Sequence, residues 1–332
     1  MKKMKIVIKA FDTIISPLVA VAAVTLFFYR RIGLQRLTIS TKVLEIIGVW
    51  PLIRHYYEPK IHLTEREIDF LAARHLPGIR LNREQQLEFL SSLEYTHELG
   101  ELFHCSREPS VSPSNQFENL IDVNNTSFSS GDAEFLYQFV RATKPRLVVE
   151  VGCGISTQII ASALERNEGE GVGAEHICIE PFEAAWLDSF PKIRLIRQPI
   201  EEIDIGIFDR LSEGDFLFID SSHMVRPKGD VLCEILHILP ALGEGVNIHF
   251  HDVFTPREYI REFIVDQKLF WNEQYLLEAF LSCNRDFDIV AALNYLKHEA
   301  FSDLNSVAPY LTAEREPGSI YIKRVKSGPL SD

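Results

Sequence analysis

A chain of 332 residues, 46% of them hydrophobic, suits one large domain plus an arm, or two domains. Its formal net charge of −13 offers no basic field for phosphates, which argues against a nucleic-acid partner. The five cysteines (Cys105, Cys153, Cys178, Cys233 and Cys283) are odd in number and contain no Cys-x-x-Cys, which fits reduced thiols in a cytosol rather than a disulfide frame.

Residues 1–40 place Lys2, Lys3, Lys5 and Lys9 before an apolar run from Ile14 to Tyr29, closed by Arg30, Arg31 and Arg36. A signal peptide is not expected, because no small-residue cleavage site follows. The run is shorter than the roughly 20 residues a bilayer core requires, and Pro17 interrupts it, so a spanning helix is borderline. A third reading is a monotopic, interfacial or hairpin-like anchor with basic ends on anionic lipid, and membrane association from the cytosolic side is the favoured expectation. A helix packed on the domain or on a partner competes with it.

Residues 41–125 read as a helical and loop extension. The aromatic stretch from Ile47 to Pro59 is expected to be extended and packed on the domain, with His55, Tyr56 or Tyr57 as lid candidates. Leu87, Leu90, Leu93 and Leu99 give residues 83–102 helical spacing, outside the core sheet. Residues 108–125 are rich in Pro, Ser and Asn and set a domain boundary. The third segment is then 126–326. Ser129 or Ser130 is expected to cap a helix that ends before Lys144-Pro145.

Leu147 to Val151 is a short, β-branched run that suits a strand buried on both faces. Gly152 and Gly154 follow, and Ser156 and Thr157 can cap the next helix. A dinucleotide fold wants a third glycine where Thr157 stands, because a pyrophosphate presses on that helix start. S-adenosylmethionine has no phosphate and tolerates its loss. Glu150, at the strand's end, can hold an amino group. Glu180, ending the second strand after His176-Ile-Cys-Ile, can accept both ribose hydroxyls.

Residues 193–196, 215–220 and 246–252 supply the third, fourth and fifth strands, and residues 229–239 a helix between the last two. Such an alternation requires a parallel sheet with right-handed crossovers. Asp220 and His223 follow the fourth strand; His251 and Asp252 follow the fifth. Two carboxylates and two imidazoles at the carboxyl ends of neighbouring strands can bind a divalent cation or move protons. An insertion follows, in which Asn272 is expected to cap a helix through Leu281. Arg257, Tyr259, Trp271, Asn272 and Gln274 are acceptor-pocket candidates, most of them expected to be structural. Residues 287–293 and 319–323 fit a closing pair of strands.

Glu150-Val-Gly-Cys-Gly-Ile-Ser-Thr157, Glu180, Phe218-Ile-Asp-Ser-Ser-His223 and Phe250-His-Asp252 together resemble class I S-adenosylmethionine-dependent methyltransferases. The branch is type 24, itself similar to macrocin-type O-methyltransferases and cephalosporin hydroxylases. The resemblance covers about residues 130–325. It implies an α/β, Rossmann-like sheet, mostly parallel with an antiparallel last strand, helices on both faces, and an N-terminal helical arm outside it. It also implies a cofactor site at Glu150, Gly152, Gly154, Ser156, Thr157, Glu180 and Asp220, and catalysis by Asp220, His223 or Asp252. Magnesium or another divalent cation would be held by Asp220, His251 and Asp252, although His251 is softer than magnesium prefers. Without a metal, His223 alone is the general base.

The implied function is O-methylation of a small-molecule, sugar or lipid-linked acceptor in the cytoplasm, at the inner face of the membrane, because S-adenosylmethionine is kept there. Ser221-Ser222 stands where methyltransferases of base amino groups carry prolines, a second argument against nucleic acid. Two other readings remain. One is a mononuclear iron oxygenase using two of His223, His249 and His251 with Asp220 or Asp252. The other is a non-catalytic membrane-bound scaffold. A nicotinamide dehydrogenase ranks last, because of Thr157.

Overall fold

The computed structural model describes residues 2–33, 36–49, 51–52, 68–106, 120–182, 184–267 and 269–325. The lid candidates His55, Tyr56 and Tyr57 lie outside the described residues. The chain divides into two compact units, Met1–Glu67 and Ile68–Asp332.

The first unit holds α1 (Lys2–Ile32) and α2 (Thr38–Ile47). Pro17 was expected to interrupt α1, yet the helix is continuous through it. A proline removes the N–H that would serve the carbonyl four residues back. Here that carbonyl belongs to Thr13, and the Ser16 hydroxyl donates to it at 3.0 Å.

The second unit is built on a seven-stranded sheet. Its strands are β1 (Leu147–Val151), β2 (Glu175–Ile179), β3 (Arg194–Ile196), β4 (Phe216–Ile219), β5 (Asn247–Phe250), β6 (Phe287–Ala292) and β7 (Ile320–Arg324). The spatial order is β3-β2-β1-β4-β5-β7-β6. All pairs from β3 to β5 are parallel, whereas β7 runs antiparallel to both β5 and β6. The expected sheet is the observed one.

Strand alternation divides the core in two. Val148, Phe216, Phe218 and Tyr321 face α4 (Asp132–Thr143) and α5 (Ile155–Gly169). Val149, Leu217, Ile248 and Ile322 face the helix of residues 230–241 and α6 (Glu273–Leu281). With both faces covered, β4 is apolar throughout and β1 is apolar but for Glu150, which is why they read as apolar runs.

Residues 68–106 belong to this unit and not to a separate extension. Leu90, at the end of α3 (Arg83–Ser91), is buried with Leu93 and Leu99 in the same core as α4. The expected serine cap of α4 is also corrected. Gly131 precedes that helix and its N–H donates to Glu134, while Ser129 Oγ donates to Val123 O.

Candidate active site

At the carboxyl ends of β1 and β4 the backbone itself sets the geometry. Gly152 sits at φ 77°, and its N–H donates to Ile179 O at 3.0 Å. A Cβ at this position would stand 1.8 Å from the carbonyl oxygen of Asp220, so only glycine lets the two strand exits touch. Gly154 faces open space, with nothing within 4 Å of an added Cβ.

Gly152, Gly154, Ser156, Glu180 and Asp220 line a cleft of about 730 Å³. The size lies inside the roughly 300–1,000 Å³ typical of small-molecule sites. Glu180 is fixed at its rim: Oε1 accepts the Phe182 N–H at 3.0 Å and Oε2 the Cys153 N–H at 3.2 Å.

Glu150 and Thr157 depart from the expectation. The Glu150 side chain is fully buried behind the glycine turn. It accepts from Ser156 Oγ at 2.7 Å, Thr157 Oγ1 at 3.0 Å and His176 Nε2 at 2.9 Å. Glu150 sits on the sheet face that meets α5, so its carboxylate braces the turn from within. Thr157 Oγ1 also accepts the Gly154 N–H at 3.1 Å. Neither residue lines the cleft.

Asp220, His223, His251 and Asp252 do converge. His223 Nε2 lies 3.3 Å from Asp220 Oδ1 and 3.6 Å from Asp252 Oδ2. His251 Nδ1 lies 3.5 and 3.7 Å from the same two atoms. His223 and Asp252 both hold positive φ, 57° and 55°, a conformation that non-glycine residues keep only where the surroundings impose it.

The charges follow from this packing. Burial alone would raise the Asp220 carboxyl, but the charge of His251 and the contact with His223 hold it far below the usual range. Burial would lower both imidazoles. Asp220 and Glu273 instead raise His223 well above its ordinary value, and Asp252 and Asp220 raise His251 to about 9. Burial pushes Asp252 upward, against the two imidazoliums.

His251 Nδ1 is buried and makes no hydrogen bond. An orphaned nitrogen facing two carboxylate oxygens fits a cation held between them. Asp220, His251 and Asp252 are close enough to ligate one ion together, and two carboxylates with an imidazole suit manganese, iron or zinc as well as magnesium. His249, a ligand candidate under the iron reading, is not offered to the site. Its ring stacks on Phe218 at 4.2 Å and its Nε2 meets Ser319 Oγ at 3.0 Å.

The acceptor-pocket candidates are mostly structural. Gln274 bridges the backbone of Phe254 and Arg257, and Tyr259 Oη accepts the Gln274 N–H. Arg257 Nε donates to Leu71 O. Asn272 does not cap α6 with its side chain; Oδ1 accepts the Val225 N–H at 2.6 Å instead. Two of them touch the cluster: the Trp271 ring centroid lies 4.3 Å from that of His223, and the Asn272 N–H donates to His223 O at 3.0 Å.

Sequence reasoning missed Glu273. It is 1% exposed, and its Oε2 lies 2.8 Å from His223 Nδ1. Its position at the start of a helix marks it only as a favourable N-terminal acid. It also missed Glu234, buried on a π turn (Glu234–Ile238) and reached by Ser221 Oγ at 3.1 Å. A π turn of this kind often marks a functional position. Burial and the charge of Glu273 drive Glu234 well above its usual value.

Residues 149–253 match a family model described as a methyltransferase domain. An uncharacterized protein of Archaeoglobus fulgidus is 27% identical over 169 residues, which is 48% of this chain and 72% of that protein. Two solved structures are similar at low identity. The O-methyltransferase TomG from Streptomyces achromogenes, in complex with SAM, is 13% identical, covering 72% of this chain and 90% of that chain at a TM-score of 0.38. An O-methyltransferase from Bacillus cereus, in complex with SAH, is 12% identical with the same coverages at 0.34. The family match carries the assignment; the two structures, at such scores, add nothing to it. With the observed strand order, it makes the matched segment, residues 149–253, part of a methyltransferase domain of class I topology. It lends no support to the iron-oxygenase, scaffold or dehydrogenase readings.

Proposed function

We propose that this chain transfers the methyl group of S-adenosylmethionine to an oxygen of a small-molecule, sugar or lipid-linked acceptor, from the cytosolic side of a membrane. The observation that carries the reading is the double membership of Asp220. It lines the cleft and also stands within 3.5 Å of His223 and His251, so the nucleoside end and the acid–imidazole end share one side chain.

S-adenosylmethionine, when bound, supplies an electrophilic methyl on sulfur for in-line displacement. Glu180 is held by two backbone N–H groups with its carboxylate at the cleft, where it can accept ribose hydroxyls. Gly154 leaves room for the ligand against the backbone. Asp220, His251 and Asp252 would hold a divalent cation, whose Lewis acidity lowers the pKa of an acceptor hydroxyl. With Asp220 and Asp252 committed to a cation, less negative charge would hold a proton on His223, and its neutral Nε2, which faces the same corner, can then take the hydroxyl proton, with Glu273 on the opposite nitrogen fixing the ring. Positioning supplies the rest of the rate.

Calorimetric titration with S-adenosylhomocysteine, with and without manganese, tests the reading. Micromolar binding that Glu180→Ala abolishes supports it and justifies an acceptor screen. A folded protein that binds no S-adenosylhomocysteine under either condition refutes it.

A further inference from the structure

The first unit carries a feature that the methyltransferase chemistry does not use. Val7–Ile32 is long and apolar enough to cross a membrane, and none of its most apolar stretch is buried. At a 1.5 Å rise its 26 residues reach about 39 Å, against a hydrocarbon core of about 30 Å. Exposed apolar side chains lie all round the helix, with Ile14, Leu18, Val19, Val24 and Phe27 each more than 40% exposed. A helix apolar on every side needs a protein core or lipid around it, and the described residues provide no core.

We infer that α1 spans a bilayer containing anionic lipid, and that α2 lies in the interface at its Arg30–Arg31 end. In hydrocarbon every polar group must be satisfied within the segment. The hydroxyls of Thr13, Ser16 and Thr25 all donate to carbonyls of their own helix, at 2.9, 3.0 and 2.9 Å. The Ser16 bond fills the carbonyl that Pro17 leaves open, which removes the objection to a proline within a span. No charged residue stands between Asp12 and Arg30.

The C-terminal end of α1 has the composition of a membrane–water boundary. Phe27, Phe28 and Tyr29 precede Arg30 and Arg31, and the Arg31 guanidinium lies over the Phe27 ring at 5.3 Å. Amphipathic rings and long cations collect at that depth. The chain then turns at Gly33, φ 104°, and the Tyr29 hydroxyl hydrogen-bonds Thr41 on α2. α2 shows Ile39, Val43, Ile46 and Ile47 on one stripe, all exposed, and buries no residue. An apolar stripe beside a polar face is the pattern of a helix lying at a lipid surface. Residues 1–42 hold eight Lys and Arg against the single acid Asp12, in a chain of net charge −13. That contrast draws this segment, and not the rest, to anionic head groups.

Only the sidedness rests on the methyltransferase reading, which needs the catalytic unit in the cytosol. The test uses the full chain in a bacterial host. Membranes washed with alkaline carbonate should retain the protein, and detergent should release it. Release by carbonate, or recovery in the soluble fraction, overturns the span. In sealed cells carrying the chain with its five native cysteines replaced by serine, a membrane-impermeant maleimide should label Lys3→Cys and not Lys42→Cys. Labelling of both or of neither overturns it. Labelling of Lys42→Cys alone keeps the span and refutes the cytosolic placement of catalysis instead. In vesicles with anionic phospholipid, a tryptophan substituted by Ile46→Trp should be quenched by brominated acyl chains; unquenched emission removes α2 from the bilayer. S-adenosylhomocysteine titration of the detergent-purified protein is independent of all these outcomes.

Discussion

Glu273 Oε2 lies 2.8 Å from Nδ1 of His223, and both side chains are almost wholly shielded from solvent. A carboxylate on Nδ1 fixes the proton there and turns Nε2 toward Asp220 and Asp252. Glu273→Gln keeps the shape and removes the charge. We expect kcat to fall about 10–100-fold, the size typical of losing an orienting partner, while S-adenosylhomocysteine affinity is unchanged. Steady-state kinetics beside calorimetry checks this; a parallel loss of affinity would mean that the site has collapsed.

Cation binding should release a proton. Asp252 and Asp220 raise His251 to about 9, so at pH 7 the cation-free imidazole is charged and must lose its proton to become a ligand. Affinity for manganese should therefore rise with pH, about tenfold per unit below the raised value if one proton is displaced. Titrations in buffers of different ionisation enthalpy count the proton. His251→Asn should weaken binding and abolish the release.

The two glycines should separate stability from ligand binding. Gly152→Ala drives a Cβ into the Asp220 carbonyl at positive φ, a loss of about 2 kcal/mol or more. Gly154→Ala meets no atom within 4 Å and should cost much less in thermal midpoint, yet weaken S-adenosylhomocysteine binding by occupying the cleft. Equal thermal losses in the two variants would contradict the assignment.

Stability should carry a signature of Glu134. Burial pushes its carboxyl up to about 7, although the Gly131 and Tyr310 N–H groups both donate to it. Below about pH 4 the group is protonated in both the folded and the unfolded chain. Between there and 7 the unfolded chain gives up the proton first, so this contribution to stability is lost as pH rises. Glu134→Gln does not titrate. Its thermal midpoint should gain on the native protein's from pH 5 to 8; a constant difference would rule the effect out.

What the sequence made legible is what depends on local pattern. Leu147–Val151 is apolar except for Glu150 because the strand is covered on both faces. Asp220 and Asp252 were identifiable because they end neighbouring parallel strands. Glu150 misled because a residue beside a glycine turn can face the crevice or the helix behind it, and only the register decides. Glu273 was invisible for another reason: it meets His223 across fifty positions of chain, through an insertion with no periodic signal toward the cluster. Pro17 misled because the repair comes from the hydroxyl of its neighbour Ser16, which composition does not reveal.

The contact between Gly152 and the Asp220 backbone has a consequence for ligand design. Since no side chain separates the turn after β1 from the end of β4, backbone contact fixes the spacing of the two strand exits, which carry the donor and acceptor ends under the proposed reading. A rigid bisubstrate inhibitor, with a nucleoside joined to a metal-chelating arm by a linker of fixed length, would match a spacing set by backbone contact. Such a compound keeps most of the advantage of joining its two halves. Under the proposed reading, acceptor selectivity would be sought around Trp271, whose ring packs 4.3 Å from that of His223.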